Sequence, residues 1–275
     1  MQSKKKIGTI IIYVILILGA LTMLLPFFWM VSTAFKTGFE AIKTPPAWLP
    51  QHLLWENWAK AWQAAPFTQY LINSIVVSAL TTVGQIITAI MAAFAFAKLN
   101  FWGKNILFVI LLATMMVPGE MLIIPNFVTL SQLRLVNTYG ALIIPWLASF
   151  FAVFTLRQSF AQVPDQLYYA AKLDGASDWQ FLWQVLVPNA KSAITAIALL
   201  QVIGSWNSFM WPLIVTNTDT MRTLPVGLQA FSNDTGVSYP ELMAASTFVI
   251  LPMVILYIVL NKYVVQGISA GGIKG

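Results

Sequence analysis

Residue types that carry out covalent or metal chemistry are scarce in this chain, and those present are not spaced for it. Cysteine is absent and His52 is the single histidine, so thiolate nucleophiles and multi-histidine metal sites are excluded by inventory. No stretch reads Gly-x-x-x-x-Gly-Lys-Ser/Thr, the backbone cradle that nucleotide phosphates require. Glu120 is the one carboxylate inside a long apolar run, whereas a proton relay or an intramembrane hydrolase calls for paired carboxylates. It follows Pro118-Gly119 near the end of that run, which suits a carboxylate reaching water at a broken helix end. The expectation is therefore no catalytic residue, no metal site and no cofactor bound by this chain itself.

Local logic is strongest in the polar stretch between Arg157 and Lys191. Pro164 and Asp165 suit a first helical turn: proline lacks an N–H that would be unpaired there, and the carboxylate faces the positive end of the dipole. Helix-forming residues run from Gln166 to Leu173, Gly175 permits the left-handed backbone that ends a helix, and Ser177 with Gln180 makes a capping-box pattern for the next. Phe181, Leu182, Val185 and Leu186 share one face until Pro188. The pattern predicts a helix–elbow–helix. Its compact surface at Ala170-Ala171 suits either a groove on a partner protein or a hairpin resting on lipid.

The elements that must carry this loop are set by composition. Hydrophobic residues make up 59% of the 275 and charged ones 9%, against about 25% charged in soluble globular chains. About 20 apolar residues cross a bilayer core, and six runs pass that length test, near residues 10–30, 71–97, 106–124, 139–156, 193–215 and 243–264. Continuous rather than alternating hydrophobicity favours helices over barrel strands. Ten of the fifteen Lys and Arg fall on the side of the two termini, which predicts a cytoplasmic location for both termini and for the 158–190 loop. That topology accounts for the net charge of +6 without nucleic acid as a partner. Three lysines precede the first run, and Ser32-Thr33-Ala34 could pass for a cleavage site; the run exceeds a signal-peptide core of about 7–15 residues, so it reads as an uncleaved span.

Trp55, Trp58 and Trp62 lie at i, i+3 and i+7, the spacing of one helical face, and predict a helix lying on the outer membrane surface. Sugar stacking is the other use such indoles have. Asn73, Gln85, Gln201, Ser205, Asn207 and Asn217 are polar groups at membrane depth, and Asn73, Trp206 and Asn207 are the first candidates for contact with a transported solute; most such groups instead bond across helices.

Pro164, Leu167, Ala170, Ala171, Asp174, Gly175 and Ala176, followed by Phe181, Leu186 and Pro188, resemble the conserved cytoplasmic loop of permeases of ATP-binding-cassette (ABC) importers. The likeness is to the carbohydrate-type branch that contains the second permease of the maltose transporter. It extends to Pro26–Met30, Asn73-Ser74, Trp206–Phe209, Thr223–Leu228 and the tail Gly267–Gly275. It implies an all-α membrane protein of the type I importer permease fold: one transmembrane domain over 1–275, six helices, and a coupling loop at 158–190. The implied partners are a second permease, two ATPase subunits that bind ATP and Mg, and an extracytoplasmic solute-binding protein, in a bacterial cell membrane. The implied cargo is a sugar, an oligosaccharide or a glycerol-phosphate-like solute. The implied docking surface is Tyr169, Ala170, Ala171, Asp174, Gly175, Ala176, Leu186 and Pro188, with Tyr169 standing where the family has glutamate. In the tail, Gly267, Gly271, Gly272, Lys274 and Gly275 would reach the ATPases. A self-sufficient secondary transporter or channel is the rival reading.

Overall fold

An uncharged run from Ile7 to Phe35 has no polar side to turn toward water, and it forms one long helix, α1 (Gln2–Ala34). The computed structural model describes residues 2–233 and 236–272. In chain order there follow α2 (Gly38–Ile42), α3 (Glu56–Gln63), α4 (Phe67–Lys98), α5 (Lys104–Thr114), α6 (Ile123–Gln132), α7 (Tyr139–Ile143) and α8 (Phe150–Ala161). Next come α9 (Asp165–Leu173), α10 (Asp178–Phe181), α11 (Val187–Asn189), α12 (Lys191–Trp206), α13 (Met210–Val215), α14 (Leu224–Gly227) and α15 (Tyr239–Gly272). One antiparallel hairpin, β1 (Ser232–Asn233) with β2 (Gly236–Val237), is a small departure from the all-helical expectation. The chain forms two compact units, Met1–Phe67 with Gly227–Val254, and Thr68–Val226 with Ile255–Gly275.

In the first unit, polar groups finish what α1 leaves open. The Asn57 amide donates to the carbonyls of Ala34 and Lys36 at 3.0 and 2.9 Å, two acceptors without helical partners. Thr37 and Glu40 make a capping box at α2, and the Glu40 carboxylate also accepts the Gln51 N–H at 3.2 Å. These donors, the Thr37 N–H foremost, hold the Glu40 pKa below its ordinary value. Lys36 is buried with its Nζ 3.8 Å from the Trp29 ring centroid, and burial pushes its pKa down. The predicted helix forms as α3, with Trp58 and Trp62 packed on Phe248 of α15 at 5.5 and 5.1 Å; Trp55, just before it, packs on Phe35 at 4.8 Å and is 67% exposed.

Among the described residues, three helices are unbroken and long and apolar enough to cross a membrane: Ile11–Ala34, Phe67–Lys98 and Tyr239–Val259. The expected 106–124 run is not straight, since Lys104–Thr114 and Gly119–Gln132 meet at 94°. Pro118 supplies no N–H and disfavours helical backbone at Val117, so the chain turns there. Across 139–156 the helical stretches Tyr139–Trp146 and Phe150–Ala161 bend by 44°, where the Ser149 hydroxyl accepts the Ala152 N–H and starts α8 afresh. The 193–215 run is divided between α12 and α13, and the segment Asp178–Asn189 meets α12 at 77°.

The second unit has a core that reaches the polar loop. Ala89, Ala93 and Phe96 of α4 and Ala152, Leu156 and Phe160 of α8 pack with Phe181, Leu182 and Leu186. The apolar face predicted for 181–186 is thus buried against two other helices rather than on lipid.

Candidate functional site

Helix α9 ends as its sequence requires. Gly175 has φ +80°, the Ala176 N–H donates to the Ala171 carbonyl at 2.9 Å, and the Gly175 N–H donates to the Lys172 carbonyl at 3.1 Å. These are the two bonds of a Schellman cap. Ser177 and Gln180 then form a reciprocal capping box for α10. Asp178 braces the turn: its Oδ1 accepts the Tyr168 hydroxyl at 2.6 Å and pairs with Lys172 Nζ at 2.8 Å. Burial first, and then the Asp178 contact, push the Tyr168 pKa up to about 12, so its hydroxyl stays a donor at any physiological pH.

The loop is tied to its support by a buried ammonium. Lys98, at the end of α4, has a side chain 2% exposed; its Nζ donates to the Val163 carbonyl at 2.6 Å and to Asp165 Oδ1 at 2.7 Å. The opposite side of α9 is bare. Leu167, Tyr169 and Ala170 are exposed, and Leu173 is 89% exposed. An apolar face standing off a rigidly braced hairpin is what a partner's groove receives.

A cavity of about 280 Å³ lies elsewhere in the same unit, lined by Ser74, Gln201, Ser205, Ser208, Trp146 and Trp211 among others. The two indoles meet edge to face at 6.1 Å, and the Trp211 Nε1 proton goes to the Ala141 carbonyl at 3.0 Å. Thr223 also lines it, buried and with its hydroxyl unpartnered. Alcohols, a carboxamide and aromatic surface converging on one cavity can bind a polyhydroxylated solute.

Beside it, the 216–224 segment is pinned from several directions. Asn73 donates to the carbonyls of Thr220 and Arg222 at 2.9 and 2.8 Å while its Oδ1 accepts from Tyr139 at 2.6 Å and from Gln69 at 2.9 Å. Asn137 Oδ1 accepts the N–H groups of Asn217 and Thr218, and Ser74 Oγ accepts the Leu224 N–H at 2.8 Å.

Among the expected docking residues, Tyr169, Ala170, Asp174, Gly175 and Pro188 are exposed and Ala171 and Ala176 are half-buried. Leu186 is a correction: it is fully buried in the core, so it supports the loop and presents nothing. Of the expected solute contacts, Asn73 is buried with its amide saturated as a clamp, Trp206 is buried, and neither they nor Asn207 line the cavity. Gln201 and Ser205, also among the polar groups expected at membrane depth, do line it, whereas sequence reasoning missed Lys98, Tyr168 and Asp178 as braces and Trp211 as a cavity wall. Lys98 at the end of a charge-free run was the one available signal. In the tail, Gly267, Gly271 and Gly272 fall within α15, whereas Lys274 and Gly275 lie outside the described residues. The string Gly267-Ile268-Ser269-Ala270-Gly271 has nucleophile-elbow spacing, but its backbone is helical and lacks the strand-to-helix turn that chemistry needs. Among the described residues, no group of acidic and histidine side chains could hold a metal, and His52 and Glu120 are exposed.

Long apolar helices, a braced polar loop with one bare face and a polar cavity are the features of a membrane permease. Residues 84–270 match the binding-protein-dependent transport system inner membrane component family, and the chain belongs to it. It is 36% identical over 209 residues to the arabinooligosaccharides transport system permease protein AraQ of Bacillus subtilis, covering 76% of this chain and 74% of that protein. It is 30% identical over 264 residues to the sn-glycerol-3-phosphate transport system permease protein UgpE of Yersinia pestis, covering 93% and 94%. A chain of a bacterial ABC transporter involved in import of the acidic polysaccharide alginate superposes with a TM-score of 0.82 at 25% identity, over 94% of this chain and 96% of that one.

Proposed function

We propose that this chain forms, with a second permease, the membrane pathway of an ATP-driven importer for a sugar, an oligosaccharide or a glycerol-phosphate-like solute. Separate ATPase subunits, which bind ATP and Mg, supply the energy, and a solute-binding protein delivers cargo from outside. The observation that carries this reading is the loop: its inner face is locked into the core of α4 and α8 while Leu167, Tyr169, Ala170 and Leu173 stand bare. Such a rigid element passes closure of an ATPase to the helices without chemistry in the membrane, a linkage between distant sites.

The six-span arrangement counts the bent stretches 104–132 and 139–161, and α12 with α13, as one crossing each, and leaves 158–190 as a cytoplasmic helix–elbow–helix, with both termini on that side. Ala170, Ala171, Asp174, Gly175 and Ala176 are its docking surface. Tyr169 replaces the family glutamate, so an aromatic or hydroxyl contact stands in for an ion pair to an ATPase arginine. The cavity walled by Gln201, Ser205 and Trp211 is this chain's share of the solute path.

Capture of the chain from its native membrane in mild detergent, followed by mass spectrometry, is expected to recover an ATPase, a second permease and a binding protein. Uptake by the purified chain alone in ATP-free vesicles, driven by an ion gradient, would establish the rival self-sufficient carrier.

A further inference from the structure

The turn between α4 and α5 holds an excess of positive charge that the protein does not neutralise. Lys98, Lys104 and Arg157 gather there, and the one carboxylate among them, Asp165, is engaged by Lys98 at 2.7 Å. Neither Lys104 nor Arg157 has a carboxylate within ion-pair distance among the described residues. Lys104 Nζ donates to the Leu99 carbonyl at 2.7 Å, and Arg157 Nε donates to the Phe96 carbonyl at 3.2 Å with the guanidinium 4.2 Å over the Phe108 ring. Each has further donors to offer.

The start of α5 adds to this field. Lys104 occupies its first turn, no acidic residue is there, and Gly103, with φ +78°, caps it without a side-chain hydrogen bond. A cation at the positive end of a helix is the wrong sign for the dipole. An open cavity of about 620 Å³ lies over the turn, walled by Asn100, Gly103, Lys104, Asn105 and Arg157 among others. Phe101 and Ile106, which also line it, are exposed, as are Val109 and Ile110 further along α5, and Trp102, next to Phe101 in the chain, is 97% exposed. Indoles favour the headgroup layer. Cations close in the chain to an exposed indole, with a bare aliphatic helix face alongside, match a phosphate attached to acyl chains rather than a free ion.

We infer that the α4–α5 turn is a binding site for the phosphate headgroup of an anionic glycerophospholipid, held by Lys104 and Arg157 with its chains along α5. The inference needs only that α4 crosses the membrane and is independent of cargo.

Native mass spectrometry of the purified importer, titrated in turn with phosphatidylglycerol and phosphatidylcholine, tests it. Phosphatidylglycerol is expected to be retained preferentially. Lys104→Gln should weaken its retention about fivefold, following about 1 kcal/mol per cation near an anionic surface, while Lys104→Arg keeps it and phosphatidylcholine is unaffected. Equal retention of the two lipids, or unchanged retention in a folded Lys104→Gln protein, overturns the inference. Full displacement of phosphatidylglycerol by millimolar inorganic phosphate or glycerol phosphate would also overturn it, because a free-anion site would then explain the charge. Loss of retention in both variants would mark a packing role for Lys104 and overturn its assignment.

Discussion

Gly175 offers the sharpest test of how the loop works. Its φ of +80° lies in the left-handed region, and a Cβ added there meets nothing within 4 Å. Steric clash therefore contributes nothing, and the cost of substitution is backbone strain alone. That strain is about 1–2 kcal/mol for an ordinary L-residue. At 1.4 kcal/mol per tenfold, alanine should shift the elbow between capped and opened forms by roughly 5- to 30-fold. Asparagine, which tolerates this conformation, should recover most of the loss. Gly175→Asp places a charge beside exposed Asp174 and should leave membrane insertion intact while uncoupling ATP hydrolysis from uptake. The assay is the full importer reconstituted in liposomes, read as solute accumulated per ATP hydrolysed with binding protein present. The expected order is Gly and Asn above Ala, with Asp lowest. Wild-type coupling in both Ala and Asp variants, or Asn falling below Ala, would refute the reasoning that the left-handed cap transmits the motion.

Lys98→Met removes a charged hydrogen bond to the Val163 carbonyl and the pair with Asp165, for a loss of about 2 kcal/mol; hydrogen exchange across 163–174 should accelerate by roughly 30-fold, and unchanged exchange would count against the anchor. Glu40, with a pKa below the ordinary 4.5, contributes stability that is complete above that value and lost as pH falls through its lower folded-state pKa. The melting temperature of wild type should therefore drop relative to Glu40→Gln only on acidification below about pH 4.5, and parallel curves would exclude the carboxylate as the cause. Asn137 has φ +63° and holds Asn217 and Thr218 through its Oδ1. Asn137→Ala should destabilise by about 2 kcal/mol and Asn137→Gly by about 1 kcal/mol less than that, because glycine relieves the left-handed strain; equal melting of the two variants would contradict this.

Short-range signals were legible because their physics is local. Gly175, Ser177 and Gln180 sit within a few residues of the groups they satisfy, so the left-handed turn and the capping box could be read one residue at a time. The start of α9 at Asp165, after Pro164, belongs with them. Pro118-Gly119 marked a broken helix end, but the bend at Ser149 escaped notice for the opposite reason. Hydropathy measures how apolar a run is, whereas the turn at Ser149 depends on a backbone donor that an apolar average does not register. Tryptophan spacing identified a shared face and could not say that Trp58 and Trp62 of α3 meet Phe248, nearly two hundred positions away in the chain.

What the sequence determined by itself was solvent and class: too few charges for water, apolar runs long enough for a bilayer, and a polar loop with its own caps. These follow from transfer free energy and local hydrogen bonding, both summed over neighbouring residues. The tertiary structure alone decided which polar groups are free to act. Asn73 and Gln201 look alike in sequence, yet Asn73 is consumed by Thr220, Arg222, Tyr139 and Gln69 while Gln201 lines a cavity. Leu173 and Leu186 are the same residue in one loop, one bare and one buried. A side chain's role depends on whether its partners are supplied by distant segments, and only the folded chain brings those segments together.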